Sequence, residues 1–160
     1  MNKDIIKEYG NVLHDPASIT DRPLEILSVG PKLDIALGGG VPEGSLFIMT
    51  GPEKVGKTVT ALTFCANAQK KYQRQVYYAN IEGRLKKRDL EGISNLDLSP
   101  DQMQIIGSTE GNILSAEKYL SIVDNVVHTQ PGSLTVVDSF SALSSEPELT
   151  GDLADVQVMS

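Results

Sequence analysis

The chain has 160 residues, 40% hydrophobic and 22% charged, with 14 glycines, five tyrosines and three phenylalanines, the make-up of one globular domain or a piece of one rather than a collagen-like or low-complexity chain. No apolar run approaches the roughly 18 residues of a bilayer span, the start MNKDIIKEYG lacks the apolar stretch of a signal peptide, and a solitary Cys65 excludes a disulfide framework, so a cytoplasmic protein with no membrane partner is expected. The net charge of −7 is uneven, 9 basic against 8 acidic residues in the first eighty and 5 against 13 in the last eighty, so the second half is not expected to grip nucleic acid by itself.

In chain order, Ile5, Ile6, Tyr9, Val12 and Leu13 fall at helical spacing and Asp15-Pro16 stops the helix near His14. Residues 1–22 therefore read as a short helical arm and linker whose apolar face docks elsewhere, on another subunit for instance, and residues 23–160 as the core. Pro31–Leu37 reads as a helix with proline in its first turn and Gly38-Gly39-Gly40 behind it. SLFIMTG (Ser45–Gly51) then reads as an apolar strand and Lys57–Lys71 as a helix. RQVYYANIE (Arg74–Glu82) is the next expected strand, followed by a helix over Leu85–Ile93. QMQIIG (Gln102–Gly107) is a third strand and Ser115–His128 a helix with Ala116, Tyr119, Leu120, Val123, Val126 and Val127 on its apolar side. SLTVVDS (Ser133–Ser139) is a fourth strand. Strands alternating with helices imply a parallel sheet covered on both faces, and the apolar runs Leu46–Met49 and Leu134–Val137 fit burial on both sides. The basic groups Lys70, Lys71, Arg74 and Arg84, Lys86, Lys87, Arg88 read as solvated surface.

Gly51-Pro52-Glu53-Lys54-Val55-Gly56-Lys57-Thr58 satisfies G-x-x-x-x-G-K-[ST] between an expected strand and an expected helix. Glycines let the backbone wrap a phosphate, the helix N-terminus adds partial positive charge, Lys57 adds a full one, and the Thr58 hydroxyl is a ligand for Mg²⁺. At ordinary residue frequencies the pattern arises by accident in roughly one chain in two hundred of this length. Hydrolysis needs a carboxylate at the end of a second strand to hold Mg²⁺ and its waters, and Asp138 closes LTVVDS. It also needs a carboxylate to polarise the attacking water, and Glu82 closes VYYANIE. His14 and His128 have no Cys or His at ligand spacing, and Cys65 reads as a small buried hydrophobe.

The ordered segments SVGPKLDIALGGGVPEGSLFIMTGPEKVGKT, NIEGR and LTVVDSFSAL, followed by an acidic ELTGDLAD, resemble the RecA family over about Ser28–Ser160, and the short arm looks most like the phage recombinases of the UvsX type. The resemblance implies an α/β P-loop NTPase fold with a RecA-like parallel sheet flanked by helices. It implies a DNA-dependent ATPase of homologous recombination and of recombination-dependent repair or replication, forming filaments and exchanging strands on single-stranded DNA. By position, Glu82 and Lys57 would be catalytic, Gly51, Pro52, Glu53, Lys54, Val55, Gly56, Lys57, Thr58, Val59 and Arg88 would bind ATP, and Thr58 and Asp138 would hold Mg²⁺. The arm would support a homo-oligomer or filament.

Two positions depart from the family pattern. Asp89, flanked by Arg88, stands where a tyrosine stacks on adenine, and Val59 follows Thr58 where the bacterial proteins repeat a threonine. In the family a further strand lies between the P-loop strand and the aspartate strand, and DNA-binding loops follow it. These 160 residues stop before them, so the core is expected to be truncated, with single-stranded DNA bound through regions outside it and a second polypeptide as a candidate to complete the sheet. A RecA-core ATPase of helicase or clock-like type, or a non-catalytic nucleotide-binding interaction module, is the alternative. If the protein is phage-encoded, its compartment is the host cytoplasm.

Overall fold

In a computed structural model the chain is described over residues 24–145 and 149; the expected arm at residues 1–22 and most of the acidic tail lie outside the described residues. The first unit is small. β1 (Ile26–Leu27) pairs antiparallel with β2 (Val41–Pro42), and α1 (Pro31–Ala36) spans the gap between them. Pro31 supplies a ready-made helical φ at the first turn. At Gly40 a Cβ would run into the Leu27 carbonyl, so this close approach of two backbones needs glycine. The Asp34 carboxylate closes the turn before α1 by accepting from Ser28 Oγ at 2.6 Å, Val29 N at 2.8 Å and Gly30 N at 3.2 Å. These bonds, the Ser28 hydroxyl foremost, hold its carboxyl below the usual range.

The main sheet has the order β4-β3-β5 and is parallel throughout. Central β3 (Val76–Asn80) sets Val76 opposite Met103 of β4 (Met103–Ile106) and opposite Leu134 of β5 (Leu134–Asp138). Side chains alternate across a strand, so Val76 and Tyr78 share a face with Leu134, Val136 and Asp138. α2 (Lys57–Tyr72) covers that face: its Leu62 and Cys65 form one core with Val76, Tyr78 and Met103, against which Leu134 and Val136 pack. Leu85, Leu90, Ile93 and Leu96, in and around α3 (Lys87–Glu91), extend the same core. Each fully buried large side chain here contributes about 1.5–3 kcal/mol. α4 (Ala116–Thr129), capped by Ser115 Oγ accepting from Lys118 N, packs against β3 and β5. A right-handed crossover from β4 to β5 runs opposite to the one from β3 to β4, which puts α4 on the other face. Arg74 joins the small unit to the sheet by pairing with Glu25 and, at 2.9 Å, with Glu43.

Three expectations need correction. Ser45–Gly51 is not in a ladder: no described strand pairs with it, and Leu46 and Ile48 are 86% and 70% exposed, against the expected burial on both sides. Among the described residues the segment has no ladder partner, and β5 pairs only with β3. The apolar side of α4 is also less covered than its spacing implies. Tyr119 is buried, while Leu120 and Val127 are exposed. The helix expected over Leu85–Ile93 shortens to Lys87–Glu91, since Asp89 accepts from Lys86 N at 3.0 Å and fixes the start there. Among the described residues no helix is long and apolar enough to cross a membrane.

Candidate nucleotide-binding site

The loop from Gly51 to Gly56 turns the chain from the extended segment into α2, with Gly51 at φ 152°, Lys54 at φ 61° and Gly56 at φ 94°. A Cβ at Gly56 would meet nothing within 4 Å, so glycine is needed there for its left-handed backbone and not for space. No side chain caps the N-terminus of the 16-residue helix that follows. Its first amides therefore face the loop as donors, at the positive end of the helix dipole. Lys57 Nζ folds back and donates to the carbonyls of Gly51 at 2.9 Å and Pro52 at 2.8 Å. Pro52, Glu53, Lys54, Val55 and Val59 are exposed around it.

Thr58, the second residue of α2, donates from Oγ1 to Asp138 Oδ2 at 2.9 Å. The contact follows from the register, because Asp138 ends β5 on the face that α2 covers. Beyond the ladder β3 and β5 stay joined: Ile81 N and Glu82 N both donate to the Asp138 carbonyl, at 2.9 and 3.4 Å. That places Glu82 at the strand end beside Asp138, and Ser139 Oγ donates to Glu82 Oε1 at 2.8 Å. Arg84 Nη1 stands 3.5 Å from the other carboxylate oxygen. The expected Lys57, Thr58, Asp138 and Glu82 thus lie along one edge formed by the N-terminus of α2 and the C-terminal ends of β3 and β5. Arg88 does not join them. It is 80% exposed on α3 and pairs with adjacent Asp89 at 3.7 Å.

Two residues of this edge were not anticipated. Ser139 holds Glu82, and Tyr78 donates to Asp138 Oδ2 at 2.6 Å. Burial foremost, and then the bond to Asp138, push the Tyr78 hydroxyl far above its usual range, so it remains a donor at neutral pH. The available signal was the tyrosine itself: a phenol on the buried face of a strand needs a polar partner. Cys65 is buried as expected, with its thiol pushed up to about 12 by desolvation. His128 is exposed at the end of α4 beside Asp124. Among the described residues no three His, Cys, Asp or Glu gather as a metal cluster.

The donor set fits a nucleotide with Mg²⁺. A hydroxyl and a carboxylate are hard oxygen ligands, and a small ion that keeps several of its waters needs few protein ligands. An uncapped helix N-terminus beside a lysine suits the phosphates.

A parallel sheet with a glycine-rich loop opening a helix on one face, and an aspartate closing a strand beneath that helix, defines a P-loop α/β protein. Within that class, a family model described as the RecA N-terminal domain matches residues 3–160, and the chain belongs to that family. Similar proteins include Protein RecA of Streptomyces venezuelae, 37% identical over 141 residues, which are 87% of this chain and 35% of the relative. Protein RecA of Phytoplasma mali is 33% identical over 164 residues, 98% of this chain and 44% of the relative. That of Paracoccus denitrificans is 37% identical over 139 residues, 86% and 36%. The chain spans less than half the length of these curated relatives.

Proposed function

We propose that the chain is the ATP-binding part of a RecA-type recombinase, a DNA-dependent ATPase that forms filaments on single-stranded DNA and exchanges strands in recombination and repair. The observation that carries this reading is the meeting of Thr58 with Asp138 at 2.9 Å beneath the uncapped start of α2, in a chain of this family. The amides of Gly51 to Thr58 bind the phosphates, and Lys57 exchanges its bonds to the loop carbonyls for phosphate oxygens. Thr58 and Asp138 hold Mg²⁺, which when bound neutralises phosphate charge. Glu82, steadied by Ser139, accepts the proton of the attacking water. Arg88 and Val59 are proposed to flank the nucleotide. Oligomer formation through the arm at residues 1–22, a phage origin, a cytoplasmic setting and a second polypeptide that completes the sheet belong to the same proposal.

Lys57→Ala tests it. The substitution removes the loop's full positive charge and keeps the glycine turn, so calorimetry is expected to find tight, Mg²⁺-dependent ATP binding in the parent chain and none in the variant. Equal affinities would rule the reading out. Glu82→Gln keeps size and polarity but takes no proton from water. In the complete recombinase it is expected to bind nucleotide normally and to lose about 10²- to 10⁴-fold in DNA-stimulated turnover; turnover at the parent rate would make Glu82 a structural residue.

A further inference from the structure

Tyr78 is the largest of the fully buried side chains. Its ring is packed among Leu62 and Cys65 of α2, Val76 of its own strand and Met103 of β4. Its hydroxyl leaves this apolar core at one point, toward Asp138 Oδ2 at 2.6 Å. Thr58 donates to the same oxygen from the other side at 2.9 Å. Two donors therefore converge on Oδ2, and the described residues make no bond to Oδ1.

A carboxylate held by one hydrogen bond rotates about its last torsion, because that torsion is broad. A second donor on the same oxygen, anchored in a packed core, stops the rotation and fixes which oxygen is presented outward. Thr58 is the less permanent of the two anchors, since it sits in the first turn of a helix at the edge of an exposed loop and its oxygen is itself a candidate cation ligand. Tyr78 lies in the central strand.

We infer that Tyr78 is a positioning residue for Asp138: its hydroxyl locks Oδ2 and leaves Oδ1 as the oxygen offered to a divalent cation or to the cation's water. The inference rests on the nucleotide-site reading above and deepens it, extending the site one strand into the core. Phenylalanine would fill the same volume and lose this effect.

The test measures the Mg²⁺ concentration at half-saturation of ADP binding to the full 160-residue chain by calorimetry, in the parent and in Tyr78→Phe. About a tenfold increase is expected for the variant, the size of a lost hydrogen bond to a charged group, with ADP affinity in excess chelator unchanged. Asp138→Asn separates the two levels of the argument. If Asp138→Asn shifts the Mg²⁺ requirement and Tyr78→Phe leaves it within twofold of the parent, the positioning role is overturned and the site reading stands. If Asp138→Asn shifts nothing, Asp138 is not at the cation and both fall. Cys65→Ser, a substitution beside Tyr78 in the same core, is expected to lower the melting temperature without moving the Mg²⁺ requirement; an equal shift there would make the Tyr78 effect merely structural and overturn the inference. A readout free of any ligand is the carbon resonance of the Asp138 carboxyl group, which is expected to move in Tyr78→Phe. An unmoved resonance would mean that the hydrogen bond is not made, and the inference would be abandoned.

Discussion

β3 and the segment Leu46–Met49 have similar sequences, VYYAN and LFIM, and opposite fates. β3 has a neighbour on each side, so its backbone donors and acceptors are taken up in two ladders, and Val76, Tyr78 and Ala79 are fully buried. Leu46–Met49 has no ladder among the described residues. Its side chains still alternate: Phe47 points inward to an edge-on contact with Phe64, its ring 6.5 Å away and tilted 85°, while Leu46 and Ile48 point out. An apolar alternation sets which way side chains face, but a strand is a property of a pair of segments, and its stability comes from the neighbours.

The difference is sharpest where the helix packed on β3 loses a core side chain. Leu62, fully buried against β3, is expected to cost about 2–5 kcal/mol as Leu62→Ala, through lost transfer energy and the cavity left behind. Urea unfolding monitored by circular dichroism measures this, and a loss under about 1 kcal/mol would show that the core around β3 is not packed as described.

A second effect comes from Cys65 in the same core, by way of pH. Its folded thiol is pushed up to about 12 by burial, whereas an unfolded thiol ionises near its ordinary value of about 8.5. Between those values the unfolded chain has given up a proton that the folded chain keeps, so stability is full below the unfolded value and falls as pH rises toward the folded one. Denaturation midpoints are expected to drop between about pH 8.5 and pH 12, and the drop is expected to shrink in Cys65→Ala. Alkylation of the thiol at neutral pH is expected to be slow and limited by opening of the fold. Rapid labelling in the native state would place Cys65 outside the core.

How much of this was legible in the sequence depends on the range of the interaction. The glycine loop, the helix behind it and the carboxylates at two strand ends are local patterns, so Lys57, Thr58, Glu82 and Asp138 were readable as site candidates from spacing alone. The short pairing of Ile26–Leu27 with Val41–Pro42 was not anticipated, because two-residue strands carry no periodicity. The order β4-β3-β5, Tyr78 beneath Asp138, and Ser139 on Glu82 depend on which strands become neighbours, and that information is not local. Arg88, offered as a stand-in where Asp89 replaces the family's tyrosine, is exposed on α3 and pairs with Asp89.

The smallest expected effect tests the comparison most directly. Leu46 and Ile48 are apolar residues in a segment of strand-like sequence, and if sequence alone made the strand, replacing both by threonine would cost as much as cutting into β3. Both side chains are mostly in water, so little apolar area is uncovered by the change, and threonine keeps the β-branched shape that favours an extended chain. The double variant Leu46→Thr, Ile48→Thr is therefore expected to unfold within about 0.5 kcal/mol of the parent and to stay monomeric at higher concentration, because an exposed apolar edge is a site of association. A loss above about 1 kcal/mol would mean that in solution the two side chains are covered. Sedimentation would then say by what: a concentration-dependent mass would identify a second copy of the chain, and a constant monomeric mass would show that the segment finds a partner within its own 160 residues, beyond the pairings of the described residues.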